Sequence, residues 1–239
     1  MNEACHAPLS ISILKNRFFW ISYTLISAAK IVSAGMPRKN LIRSAEHPYH
    51  VTLRCNNCEW FSIPLDRVWS YSLDAMRTAW EKYPVNIQAF VLMANHYHLL
   101  IWTPNSDLDK FMFEFNRGLS KYLREATGRI NRVFGDRYKW SIVQDASYYS
   151  RIIQYIYKNP VRASLVRRCE YYKYSTLYYI VKNEEFCIPI YSPFFGNLQS
   201  FLIWMNENNE TIEDHKTQLA LKRPVFRIPS QKTLERLKL

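Results

Sequence analysis

His96-Tyr97-His98 sits inside the apolar stretch Val91–Thr103, VLMANHYHLLIWT. Alternate side chains of a β-strand share a face, so the two imidazoles point one way and Tyr97 the other. Two imidazoles side by side on a strand form half of a divalent-metal site or half of an acid/base pair. The plainer alternative is one hydrogen-bonded core histidine beside a strand-edge one. Downstream, Gln154-Tyr155-Ile156-Tyr157-Lys158-Asn159-Pro160-Val161-Arg162 reads as a helix ending. Tyr155 and Asn159, four residues apart, share a helical face. Tyr157 is turned about 200° from Tyr155 and serves the core or the outer surface. The Asn159 amide oxygen can join two imidazoles as a hard ligand, while the Tyr155 phenol approaches a phosphate held by the same cation.

These residues need a scaffold, and the hydropathy pattern supplies one. Tyr49–Arg54 alternates as a strand, and Asp66–Tyr83 is an amphipathic helix capped by Asp66 and stopped by Pro84. Val85–Met93 and His96–Trp102 are strands joined at Ala94-Asn95. Asp107–Ala126 is a second amphipathic helix ended by Gly128. Tyr138–Gln144 is a further strand, and Ser147 caps a third helix, Tyr148–Lys158, ahead of Pro160. The order β-α-β-β-α-β, then α, predicts an α+β fold: a ferredoxin-like split βαβ sheet with helices on one face, plus a C-terminal extension. The first and third strands are expected as parallel central neighbours, which would set His50 near His96 as an orienting partner. Asn95, next to the pair, is a second such partner.

The chain has 239 residues, 48% hydrophobic and 15% aromatic, which is a globular composition. Five glycines and no Gly-rich phosphate loop leave ATP or NAD chemistry without a seat. A formal charge of +12, from 32 Lys+Arg against 20 Asp+Glu, favours a polyanionic partner. Basic charge with many rings suits single-stranded nucleic acid, where bases stack and phosphates meet cations. The five cysteines are odd in number and scattered, which fits a reducing compartment better than a disulfide framework. Cys55-x-x-Cys58 has zinc spacing but no second Cys/His pair follows it, so a turn is expected there.

Three segments emerge. Residues 1–35 are an N-terminal extension outside the fold; Phe18–Ala34 has the outline of a signal segment, but Lys30 interrupts it, and Met36 is a plausible start. Residues 36–180 hold the predicted sheet and both candidate-site motifs. Residues 181–239 form a basic extension with Lys222, Arg223, Arg227, Lys232, Arg236 and Lys238, read as a packed appendage or as an arm along a nucleic-acid backbone.

The motifs Y-H-V-T-x-R at 49–54, M-A-N-H-Y-H-L-L at 93–100 and Y-I-x-x-N-P-V-R-A at 155–163 resemble those of the HUH-type single-tyrosine transposases, and within them the REP-associated tyrosine transposases. The likeness spans about Met36–Leu177, and the family commonly has M-P-N-H-[VFY]-H-L-L where this chain has Ala94. It implies that Tyr155 is the nucleophile, that His96 and His98 bind Mg²⁺ or Mn²⁺, and that Asn159 helps hold the ion. It also implies a nicking and rejoining enzyme acting on single-stranded DNA hairpins through a 5′-phosphotyrosine. Such a protein would be cytoplasmic and nucleoid-associated, a monomer or homodimer, and not a membrane protein. Arg54, Arg117, Lys121, Arg124, Arg129, Lys158 and Arg162 are the candidate phosphate contacts. Two alternatives compete: a single-strand-binding protein whose chemistry has lapsed, and a zinc hydrolase, for which no third His, Asp or Cys ligand can be placed.

Overall fold

In Tyr49–Arg54 (β1), Tyr49, Val51 and Leu53 are buried in one apolar cluster, while His50, Thr52 and Arg54 occupy the opposite side of the pleat. That alternation divides the whole molecule. The computed structural model describes residues 40–191, 197–207 and 211–230. The 1–35 extension and Lys232, Arg236 and Lys238 lie outside the described residues.

The remaining strands are β2 (Asn86–Leu92), β3 (His96–Trp102) and β4 (Lys139–Ile142), in the order β2-β3-β1-β4. Every neighbouring pair is antiparallel. This is the split βαβ arrangement expected, since β3 lies between the parallel strands β1 and β2. The first and third strands are adjacent but antiparallel, which corrects the expected parallel pairing. His50 therefore stands opposite Leu100, and it is Arg54 that stands opposite His96.

Helices α1 (Leu65–Lys82) and α2 (Leu108–Thr127) cover the first face. Val68, Met76 and Ala79 of α1 and Phe111, Met112, Phe115 and Leu119 of α2 form a core with Val51, Leu99 and Ile101 of the sheet. Gly118 allows the two helices to approach, because a Cβ there would lie 3.2 Å from Ala75 Cβ. Helix α2 ends as expected at Gly128, whose φ of 67° is left-handed. Helix α1 starts after Pro64, so Asp66 lies in its first turn and is not its cap.

The second face is covered by α3 (Ala146–Tyr157), α5 (Thr176–Lys182), α6 (Leu198–Asn206) and α7 (Thr211–Leu221). Ile152, Ile153 and Ile156 of α3 meet Ala89, Val91 and Leu100 of the sheet, with Phe201, Met205 and Phe226 behind them. Asp145 caps α3 by accepting from the Ser147 backbone N–H at 2.8 Å, so the cap lies two residues before the expected Ser147. Pro160 does not end the helical path: α4 (Asn159–Arg162) follows at once, with Pro160 in its first turn, where a missing N–H costs nothing. The extension also protects both sheet edges. Ile142 N–H donates to Pro224 O, Phe226 N–H donates to Ile142 O, and Tyr191 N–H donates to Ile87 O. Pro224–Phe226 is thus part of the fold and not a free arm. Among the described residues no helix is long and apolar enough to cross a membrane.

Candidate active site

Strand β3 divides its three motif residues as expected. Tyr97 is fully buried under α1 and α2, where its hydroxyl donates to Asn116 Oδ1 at 2.7 Å and its ring meets Phe90 and Phe115. His96 and His98 face the other way, their ring centroids 5.1 Å apart. His50 joins them across the sheet, its Nε2 lying 2.9 Å from His98 Nδ1 with the rings stacked. The orienting role expected for His50 thus falls on His98, reached diagonally from an antiparallel strand.

Helix α3 closes the group. The Tyr155 ring stands edge-on to His98 at 5.7 Å between centroids and edge-on to His50 at 6.2 Å. It is only 8% exposed, so the ring is buried against the two imidazoles. The Arg162 guanidinium lies over the Tyr155 ring, 4.4 Å from its centroid, and donates to the Tyr155 carbonyl. Asn159 Nδ2 donates to that same carbonyl at 2.9 Å and to Ile156 O at 3.2 Å. Asn159 and Arg162 together fix the last turn of α3 beneath the phenol. Tyr157 faces away, as expected, and is hydrogen-bonded to Thr176 Oγ1.

Hydrogen bonds select which imidazole nitrogens remain for chemistry. Asn95 Nδ2 donates to Cys58 O at 2.8 Å, which turns Asn95 Oδ1 toward His96 Nδ1 at 2.7 Å. His96 Nδ1 therefore carries the proton and Nε2 keeps its lone pair. His98 Nδ1 is engaged by His50, and when His50 accepts, His98 Nε2 is likewise a lone-pair donor. Burial lowers the His50 pKa to about 3. Burial and the Arg54 charge lower His96 to about 4. His98 is held well below its ordinary value, first by burial, then by His50, His96, Arg162 and Arg54. All three rings are neutral at pH 7, the form that can bind a metal. Among the described residues no group of three or more His, Cys, Asp or Glu is arranged to hold an ion. His50 does not make a third ligand because its Nε2 is turned onto His98.

The candidate cations separate into two sets. Arg54 projects on the histidine face opposite His96, and Arg162 touches Tyr155. Lys139, which sequence reasoning missed, stands opposite Thr52 on that same face. Arg129 lies near the β2–β3 turn, paired with Glu59 at 2.9 Å. Lys158 is buried and donates to Glu207 O at 2.6 Å, so it is not available as a phosphate contact. Arg117, Lys121 and Arg124 lie on α2, across the sheet from the histidines. Arg117 pairs with Glu114, Lys121 with Glu125, and Arg124 with the Ser120 carbonyl. The structure does not bring these three to the site. Cys55 and Cys58 flank a short 3₁₀ turn as free thiols, in line with the turn expected there.

Residues 44–159 match the family model described as "Transposase IS200 like". Among solved structures, one titled as a REP-associated tyrosine transposase bound to a REP hairpin superposes with a TM-score of 0.50 at 18% identity, covering 69% of this chain and 93% of that one. At that identity the likeness is one of fold. A crystal structure of a candidate transposase from Deinococcus radiodurans R1 gives a TM-score of 0.35 at 16% identity, covering 51% of this chain and 95% of that one, and carries no weight. No curated protein matches. The matched segment runs from before β1 to the first residue of α4 and so contains His50, His96, His98, Tyr155 and Asn159. Over residues 44–159, 116 of its 239 residues, the chain is similar to the IS200-like transposases.

Proposed function

We propose that this protein nicks and rejoins single-stranded DNA, with Tyr155 as nucleophile. The observation that carries the reading is the edge-on approach of the Tyr155 ring to His98 at 5.7 Å, on the side of β3 that also holds His96. The phenolic oxygen attacks the scissile phosphorus, a P–OTyr bond forms, the P–O3′ bond breaks, and the departing 3′-oxygen takes a proton. The product is a 5′-phosphotyrosine and a free 3′-OH. One phosphodiester is exchanged for another, so a second 3′-OH can reverse the step and join new strands without ATP.

His96 and His98 offer two neutral imidazoles whose Nδ1 atoms are engaged, a donor set that fits Mn²⁺ or Mg²⁺ through the two Nε2 atoms. Asn159 would add its amide oxygen, since its nitrogen is committed to the end of α3. Such an ion would withdraw charge from the scissile phosphate. His50 and Asn95 hold the two imidazoles in register. Arg162 places positive charge against the Tyr155 ring, where the attacking oxygen must carry negative charge. Arg54 and Lys139 are placed to meet backbone phosphates along the same face.

The target we infer is a single strand folded as a hairpin, the DNA named with the REP-associated structure, and the setting is the cytoplasm beside the chromosome. The test is to incubate the protein with labelled hairpin DNA and Mn²⁺ and resolve the products on a denaturing gel. A covalent protein–DNA species that vanishes in Tyr155→Phe is expected. No such species from the wild type across a panel of hairpins would overturn the proposal.

A further inference from the structure

Beyond the histidine face, one end of the sheet carries a feature the chemistry above does not use. The segment leaving β1 folds back on the β2–β3 turn: Cys55 N–H donates to Asn95 O and Phe61 N–H to Ala94 O. The 129–135 loop closes over it, with Asn56 N–H donating to Val133 O and Glu59 paired with Arg129. Within this pinned segment Trp60 is 76% exposed, and across the Glu59–Arg129 pair Ile130 is 93% exposed. The backbone on both sides of Trp60 is tied down, so the ring is held out in water by its scaffold. It lies two residues from Cys58, whose carbonyl fixes Asn95 and through it His96. Arg54, which precedes this segment, and Arg132, in the same loop as Arg129, are both exposed.

We propose that Trp60, in a segment that follows Arg54 and is tied to the loop carrying Arg129, Ile130 and Arg132, is a stacking platform for an unpaired base of the DNA strand next to the scissile phosphate. The proposal rests on the single-stranded DNA reading above. An exposed flat ring in segments that also carry guanidinium groups matches such a strand, since the base covers the ring while flanking phosphates meet the cations. A second copy of the chain fits poorly: Trp60 and Ile130 are only two exposed apolar side chains, and the arginines of their segments carry the same sign of charge as a +12 molecule.

The test is binding in EDTA, where no covalent step is needed. Hairpin oligonucleotides carry 2-aminopurine at each unpaired position in turn, and wild type, Trp60→Ala and Trp60→Phe are titrated. Stacking on one aromatic ring contributes about 1–3 kcal/mol per base, which is about 5- to 150-fold in Kd. We expect wild type and Trp60→Phe to quench one or two adjacent positions. Trp60→Ala should lose that quench and bind at least about 5-fold more weakly. Trp60→Ala binding within twofold of wild type with the quench intact would overturn the platform. So would the absence of quenching at every position, or a wild-type dimer that Trp60→Ala dissociates. If the platform result holds while no Tyr155 adduct forms, the nicking chemistry fails and the platform stands; the reverse pattern removes the platform alone.

Discussion

Tyr97 and its neighbours His96 and His98 are consecutive on one strand yet lie in two different environments. On the Tyr97 side, α1 and α2 bury a continuous apolar layer, and the Tyr97 hydroxyl has one partner, Asn116. On the other side, the His98 ring meets His50, His96 and Tyr155, the Arg162 guanidinium lies over the Tyr155 ring, and His50 and Asn95 engage the Nδ1 atoms of His98 and His96. The first face is organised for stability. The second holds neutral rings that burial alone would disfavour when charged, an arrangement that contributes little to stability and suits chemistry.

Substitutions on opposite faces should therefore fail in opposite ways. His98→Ala should reduce covalent adduct formation by at least about 100-fold, while circular dichroism shows a folded protein. Phe115→Ala on the other face should cost about 3–5 kcal/mol in denaturant unfolding, with the adduct yield per folded molecule retained. Equal losses of both properties in both variants would break the comparison. His50→Ala leaves His98 Nδ1 without its partner, and Mn²⁺ affinity by calorimetry should weaken about 10- to 100-fold.

Between pH ~6.5 and the carboxylate range, acid should strike the histidine face first. The folded-state pKa values of His50 and His96, about 3 and about 4, lie below the unfolded value of about 6.5. The unfolded chain therefore binds protons first as pH falls. The metal-free protein should keep a constant contribution from these groups above pH ~6.5 and lose stability progressively down to pH ~3. A thermal-melt series should show that slope, and a His50→Gln/His96→Gln variant should flatten it. Tyr97→Phe, which strips the donor from Asn116, should cost about 1 kcal/mol without altering Mn²⁺ binding. The smallest effect belongs to α2. Replacing Arg117, Lys121 and Arg124 by Ala should change the salt slope of DNA binding by less than about 1, where three direct phosphate contacts would change it by about 3.

Much of this was legible in the sequence because strand and helix periods report faces directly. His96, His98 and Tyr97 follow from alternation along β3, and Tyr155 and Asn159 from the i, i+4 spacing of α3. The direction of β1 against β3 was not legible in that way, so His50 was placed beside the wrong histidine. Lys158 looked like a phosphate contact because its partner, the Glu207 carbonyl, lies 49 residues away in the extension. The α2 cations were misplaced for a related reason. A helix's polar stripe shows that it faces water but not which side of the sheet the helix covers. Lys139 and Trp60 gave no local signal, since a cross-strand register and a folded-back loop placed them.

The central claim is that the Tyr155 phenol and the β3 imidazoles serve one reaction centre. Denaturing the wild-type protein after reaction with hairpin DNA and Mn²⁺, digesting it, and locating the nucleotide-bearing peptide by mass spectrometry tests this most directly. The account predicts a phosphate-linked nucleotide on Tyr155. Attachment at Tyr148 or Tyr149, on the same helix, or at any residue outside α3 would contradict it.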